Sequence, residues 1–297
     1  MTIEHWSIAP GESRVIDLEL VRHLKVSLVG GKVDVIAHDE PGARVEISNV
    51  SGKELAVSID GDRLEIDHPQ LRWDNFLEVF QNFRGHAKAD VSILAPRTVA
   101  LKLGVVTGDA LVSGFDGDAR FSTVSGDVVV DNHHGDIELS SVSGEISAGN
   151  HTGRVKANSV SGDVIASGEV SAFTAKTVSG NMILDATGTP TKVDANTVSG
   201  DLTVRCDLGS GARYRVNSVS GTLLIGDSQF RGVLGKGFEH TVGELAGEWL
   251  DLSANSVSGN ISVMHRDRAT REGGAGAGSA GGAGTTGGAG TGEGASE

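Results

Sequence analysis

Apolar and polar residues alternate along most of this chain with a period of two, and the alternation itself recurs about every eighteen residues. Written in blocks of nine from Asp118, the middle of the sequence aligns with itself: DARFSTVSG, DVVVDNHHG, DIELSSVSG, EISAGNHTG, RVKANSVSG, DVIASGEVS, AFTAKTVSG. Positions 2 and 4 of each block are apolar, as at Val128 and Val130, Ile137 and Leu139, Val155 and Ala157, Phe173 and Ala175, Met182 and Leu184. Positions 1, 3 and 5 are mostly polar. Such a period marks strands that bury one face.

A Val-(Ser/Thr)-Gly motif sets the longer register. Its valines fall at Val106, Val124, Val142, Val160, Val178, Val198, Val219 and Val257, at intervals of 18, 18, 18, 18, 20, 21 and 38. A second glycine series, Gly117, Gly135 and Gly153, lies halfway between, so each coil divides into two arms of nine. An arm with two buried positions cannot fold alone, whereas coils stacked at about 4.8 Å satisfy one another's strand hydrogen bonds and bury a continuous ladder. An antiparallel meander would leave equivalent side chains out of register and the repeats without a physical cause. The expected fold is therefore all-β: a single-stack parallel β-solenoid, β-helix-like, with ~18-residue coils of two ~9-residue arms. The motif valine has the wrong parity to continue its strand. The chain is expected to bend at positions 5 to 6 and turn Val124, Val142 and Val160 inward again. The motif glycine would supply backbone freedom there, and the acid that follows would accept a turn hydrogen bond.

The solenoid domain is assigned to residues 1–267. Its first hundred residues are irregular, with weaker alternation at Val33-Asp34-Val35, Val45-Glu46-Ile47 and Leu64-Glu65-Ile66; the clear repeats run from 101 to 267. An end of this kind is needed because a bare terminus is an open strand edge. The repeat breaks near 226–249, as an odd coil or a loop on one face. Leu71 to Phe83 instead carries helical spacing at Phe76, Val79, Phe80 and Phe83 beside Trp73, which predicts a short helix packed on the stack. Trp73, Phe76, Phe80 and Phe83 are also candidates for an interaction patch, as is the loop from Phe230 to Phe238. Residues 268–297 are almost entirely Gly, Ala, Ser and Thr, too poor in apolar surface to offset ordering, and are expected to be a disordered tail.

Composition narrows the functions. With Gly 43, Pro 5 and hydrophobics at 38% of 297 residues, the core must be built from Val, Ile, Leu and Ala. A formal charge of −14 argues against nucleic acid, whose phosphates need a basic face, and against docking on an anionic membrane surface. No apolar run reaches eighteen residues and the first ten are mixed, so neither a signal peptide, a transmembrane helix nor direct membrane insertion is expected. Cys206, the one cysteine, rules out an intramolecular disulfide. A cytoplasmic location follows as the expectation, with envelope association through a partner as the alternative.

Candidate chemistry is sparse. Asp109, Asp127, Glu145, Asp163, Asn181 and Asp201 occupy one position on successive coils. A calcium ion would suit such oxygens, but the calcium-binding β-roll pattern is absent, so turn capping and solubility are the expected role. His133 and His151 fall 18 apart at the same repeat position, with His134 nearby. Imidazole pairs bind zinc or copper, yet only two rungs carry the pair, which fits a polar corner ladder. His133, His151, Asp127 and Asp163 are thus the metal candidates, and no metal or cofactor is expected. No Gly-x-Ser-x-Gly elbow, serine triad or phosphate loop occurs. Cys206 falls at what reads as a polar, exposed position, and no catalytic residue is assigned.

The Val-Ser-Gly units, Val106-Thr107-Gly108 and the earlier Gly30-Gly31-Lys32-Val33-Asp34-Val35 give the stretch from Leu24 to about Met264 a pattern that resembles the bacterial DUF4097 family of adhesin-like, β-strand-repeat proteins. The resemblance implies a β-solenoid or stacked-sheet domain, with links to cell-envelope stress or surface functions, and carries over no catalytic residue. Three functions follow as expectations. The first is a non-enzymatic scaffold or interaction module with an unidentified protein partner. The second is a polysaccharide-binding or carbohydrate-active β-helix protein. The third is a scaffold that self-associates end to end.

Overall fold

A computed structural model describes residues 3–69, 87–231 and 237–266. Every element in it is a β-strand, and most pairings are parallel and in register. Ala119 pairs with Ile137, and Ile137 with Val155, eighteen residues at a step, as stacked coils require. Two ladders face one another across the core, joined where the long strands Ile146–Ser159 and Val164–Lys176 each turn a corner and serve both. The result is all-β and β-solenoid-like.

The first ladder runs from Arg63–Asp67 through His23–Leu28, Ala100–Val105, Ala119–Thr123 and Ile137–Ser141 to the second halves of the two long strands. It continues through Lys192–Thr197, Trp249–Ser256 and Gly211–Ser218. The second ladder runs from Lys88–Pro96 through Gly31–His38, Asp109–Ser113 and Val128–Asp131 to the first halves of the long strands. Met182–Ala186, Leu202–Asp207, Ile261–Arg266 and Thr222–Ile225 complete it. Positions 2 and 4 face inward throughout. On the first ladder they make the column Leu24, Leu101, Ala119, Ile137, Val155, Phe173, Val193, Leu252, Tyr214, all buried. Each such aliphatic contributes about 1.5–3 kcal/mol by burial.

The chain does not climb in sequence order at either end. His23–Leu28 inserts between Arg63–Asp67 and Ala100–Val105. Trp249–Ser256 likewise inserts between Lys192–Thr197 and Gly211–Ser218. This accounts for the 38-residue interval, because Val257 stacks on Val198, its N–H donating to the Val198 carbonyl at 3.2 Å. The break near 226–249 is an end cap. Ser228–Arg231 and Phe238–Gly243 pair antiparallel with Thr222–Ile225 and Gly211–Ser218. At the opposite end, Ile3–Ile8 and Arg14–Leu18 pair antiparallel with Leu55–Asp60 and Ala43–Ser51. The expected helix over 71–83 and the expected disordered tail lie outside the described residues.

The motif valine differs from expectation. Val106 and Val124 are buried, in a small cluster with Val29 and Ala87. Val160, however, is 49% exposed, and Val178, Val198, Val219 and Val257 are similarly open. The strand keeps its parity one position further than expected. The residue before the valine turns inward instead: Thr123, Ser141, Ser159, Thr177, Thr197, Ser218 and Ser256 are buried. A hydroxyl is tolerated there because it finds the motif glycine. Ser159 Oγ donates to the Gly162 carbonyl at 2.6 Å, and Thr177 Oγ1 accepts from the Gly180 N–H at 3.0 Å. The valine then falls on the outward side.

The glycine's role differs too. Gly144 does not adopt a left-handed φ; a Cβ there would lie 2.0 Å from the Gly126 carbonyl oxygen of the rung below. It is glycine because successive turns touch.

Candidate functional site

Most polar groups of the motif are engaged in stacking. Asp109 Oδ1 accepts the N–H of Asp127 at 3.1 Å, and Asp127 Oδ1 accepts that of Glu145 at 2.9 Å. Asp163, Asn181 and Asp201 accept from Asn181, Asp201 and Asn260 at 2.7, 3.1 and 2.7 Å. Each side chain thereby caps the next rung's turn. The motif serines donate to the preceding rung, as Ser143 Oγ does to the Val124 carbonyl at 2.9 Å.

The structure brings His133 and His151 together, away from Asp127 and Asp163. Asn132 and Asn150 adopt left-handed φ values of 52° and 50°, which breaks the period of two and turns the following histidines inward. Both rings are buried, with centroids 5.4 Å apart and planes 22° from parallel. None of their four ring nitrogens finds a hydrogen-bond partner. Burial holds His133 at about 4, well below the usual imidazole range, and also lowers His151. Among the described residues, no group of three or more His, Cys, Asp or Glu side chains is placed to hold a metal ion.

Cys206 is buried, contrary to expectation, because it too occupies the inward sixth position of its arm. Burial pushes its thiol up to about 12. Its Sγ lies 3.8 Å from His265 Nδ1, and Nε2 of that ring is 2.6 Å from the Tyr214 hydroxyl. Such a thiol is not a nucleophile. Trp73, Phe76, Phe80 and Phe83 lie outside the described residues. Phe230 and Phe238 are half-buried on the cap strands, ring centroids 4.6 Å apart, packed against the core.

A feature not singled out from the sequence is a groove of about 620 Å³ on the outer face of the first ladder. Its floor is strand backbone at Leu24, Leu101, Ala119, Ile137 and Val155, and its walls are the residues on either side of those positions. One wall places Lys25, Lys102, Arg120, Glu138, Lys156 and Thr174 on successive strands in register. Glu138 is bracketed by Arg120 Nη2 at 2.6 Å and Lys156 Nζ at 2.9 Å. Hydrogen bonds from Lys156 and Arg120 hold its carboxyl below the usual range. On the other wall, hydrogen bonding from Arg154 does the same for Asp136. The signal was present in the sequence as Lys or Arg at the third position of several arms, but only the stacking order makes it a row.

The sequence profile of the family described as Toastrack DUF4097 matches residues 21–263. No curated protein matches the chain. Among solved structures, a "putative adhesin" from Bacteroides fragilis NCTC 9343 is 13% identical, with 86% of this chain and 98% of that one covered and a TM-score of 0.46. A "putative lipid binding protein" from Parabacteroides distasonis ATCC 8503 is 12% identical over 87% and 96%, with a TM-score of 0.45. A "putative cell adhesion protein" from Clostridium sporogenes ATCC 15579 is 11% identical over 89% and 100%, with a TM-score of 0.29. At these identities and scores the three carry nothing about what this chain does.

Proposed function

The chain belongs to the Toastrack DUF4097 family, and from that premise we propose that it is a non-enzymatic interaction module built as a single-stack parallel solenoid. One observation carries this reading. The repeat's serines, glycines and acids are engaged in holding rung to rung, which leaves the outward rows of the ladders as the surface a partner can read. Among the described residues, no exposed nucleophile paired with a base supports an enzymatic reading: the motif serines donate to carbonyls, and the Cys206 thiol beside His265 is buried and protonated. Antiparallel strands at both ends weigh against end-to-end polymerisation. No described helix is long and apolar enough to cross a membrane, and we read the chain as acting in the cytoplasm or at the envelope through a protein partner.

The test is capture of a partner from native cell extract by the intact chain, followed by charge reversal of one outward row at a time. The reading predicts a partner lost on reversal of one row, with melting temperature unchanged. A partner held equally by every variant, or turnover of a polysaccharide by the purified chain, contradicts it.

A further inference from the structure

We propose that the outer face of the second ladder docks a cationic amphipathic helix, with the helix's apolar stripe on the row from Leu111 to Ile183 and its lysines or arginines over the column of carboxylates beside it. This deepens the interaction-module reading by naming the row and the chemistry of its partner, and rests on that reading.

The row is apolar where solubility would favour charge. Leu111, Val129, Ser147, Ile165 and Ile183 point outward on successive strands in register. Leu111, Val129 and Ile183 remain 37%, 43% and 38% exposed, and Ile165 is half-buried. The corresponding position on the first ladder carries Lys102, Arg120, Glu138 and Lys156 instead. Ile36, exposed on the strand beside Ser113, extends the patch. The exposed surface of these side chains adds nothing to the core, and a contiguous apolar patch of this kind marks a contact site.

The partner's charge follows from the neighbouring column. Asp109, Asp127, Glu145, Asp163 and Asp201 each stand two residues before the outward row, and none is ion-paired among the described residues. Lys32, in register with Asp109, pairs with Asp34 instead at 2.9 Å. Stacked carboxylates about 4.8 Å apart repel one another. Capping the next turn does not require their charge, because Asn181 and Asn260 cap with a neutral oxygen, each accepting a backbone N–H at 3.1 Å. The surplus charge is therefore open to a partner's cations. On the other flank Ser113, Gly149 and Ser167 are uncharged and Asp185 is paired with Arg205, so that Asp131 alone adds an unpaired acid there.

A helix fits the spacing. The row from Leu111 to Ile183 spans about 19 Å at about 4.8 Å per rung. That is the length of ~13 helical residues, whose turn of about 5.4 Å nearly matches one rung, so one apolar side chain per turn meets one strand. An extended peptide is less suited, because the backbone of these strands is already paired on both sides and offers no edge to join. A second copy of this chain would bring a second acidic column and another formal −14 to the patch.

Titration calorimetry on the full chain with a short synthetic peptide of leucine and lysine, patterned as an amphipathic helix, tests this. The comparison ligands are the same residues scrambled to leave no apolar face, and the patterned peptide with glutamate in place of lysine. The patterned lysine peptide is expected to bind, and to weaken as salt is raised. It should bind about tenfold or more weakly to Asp127→Asn combined with Asp163→Asn, and to Val129→Ser combined with Ile183→Ser. The asparagines keep the caps, as Asn181 does, so the first pair should leave the melting temperature unchanged, which separates lost binding from lost structure. That pair decides the matter should the serines lower the melting temperature. Glu138→Gln, on the first ladder, is expected to bind as the parent does. No binding of the patterned peptide, equal binding of the scrambled or glutamate peptide, or binding indifferent to the asparagine pair overturns the proposal. If a partner captured by the intact chain is released by reversing the first ladder's row, the interaction module survives that failure.

Discussion

Replacing His133 and His151 with phenylalanine should make the protein less sensitive to acid. The pair is buried, its four ring nitrogens are unpartnered, and burial holds His133 at about 4 against 6.5 for a free imidazole. The folded state therefore prefers the neutral rings. Their contribution is complete above about pH 6.5 and is lost as pH falls toward 4, while the unfolded chain takes up protons that the folded one refuses. For His133 alone the loss between pH 7 and pH 5 is about 2 kcal/mol. His151 adds to it with the same sign. His68, buried elsewhere and also lowered to about 4, remains as an internal reference. Phenylalanine fits the site because Phe115 already occupies the same column, its carbonyl accepting the N–H of His134 at 2.9 Å. The measurement is urea unfolding followed by circular dichroism at pH 7 and pH 5. The double variant should keep at least about 2 kcal/mol of the stability that the parent loses, and should be no less stable at pH 7. An identical acid loss in both proteins would refute the assignment of that loss to the buried pair.

The motif supplies further tests. Gly144→Ala sets a Cβ 2.0 Å from the Gly126 carbonyl oxygen and should cost about 3 kcal/mol in urea unfolding through strain on the stacked turns. Thr177→Val leaves the Gly180 N–H without its acceptor and should cost about 1–3 kcal/mol, whereas Val178→Thr at the exposed next position should change stability by under about 0.5 kcal/mol; equal costs would contradict the inward sixth position. Cys206, with its thiol pushed up to about 12, should resist a thiol-reactive disulfide reagent at pH 8 until denaturant is added.

The regular rungs were legible because their parity is local. Val128 and Val130, or Ile137 and Leu139, announce their buried face by spacing alone. The corners were not. Whether Ser159 or Val160 turns inward depends on a hydroxyl finding the motif glycine, a compensation that hydrophobicity does not encode, and the same inward sixth position misplaced Cys206. The histidines were correctly paired by their 18-residue spacing, but their burial depends on a left-handed asparagine just before each. The end interleaving and the groove depend on strand order beyond the repeat. Val219 precedes Val257 in sequence and follows it in the stack, so Lys25 meets Lys102 by the same logic, across seventy-odd residues.

Cross-linking of paired cysteines tests that stacking order most directly. In a Cys206→Ala background, Val198→Cys with Val257→Cys places the two on adjacent rungs, about 4.8 Å apart and within disulfide reach. Val198→Cys with Val219→Cys, much closer in sequence, places them two rungs apart at about 9.6 Å, beyond it. Mild oxidation of the folded protein should close the first pair and leave the second free. Closure of the second pair in preference to the first would mean that the coils stack in sequence order, and the ladder described above would be wrong.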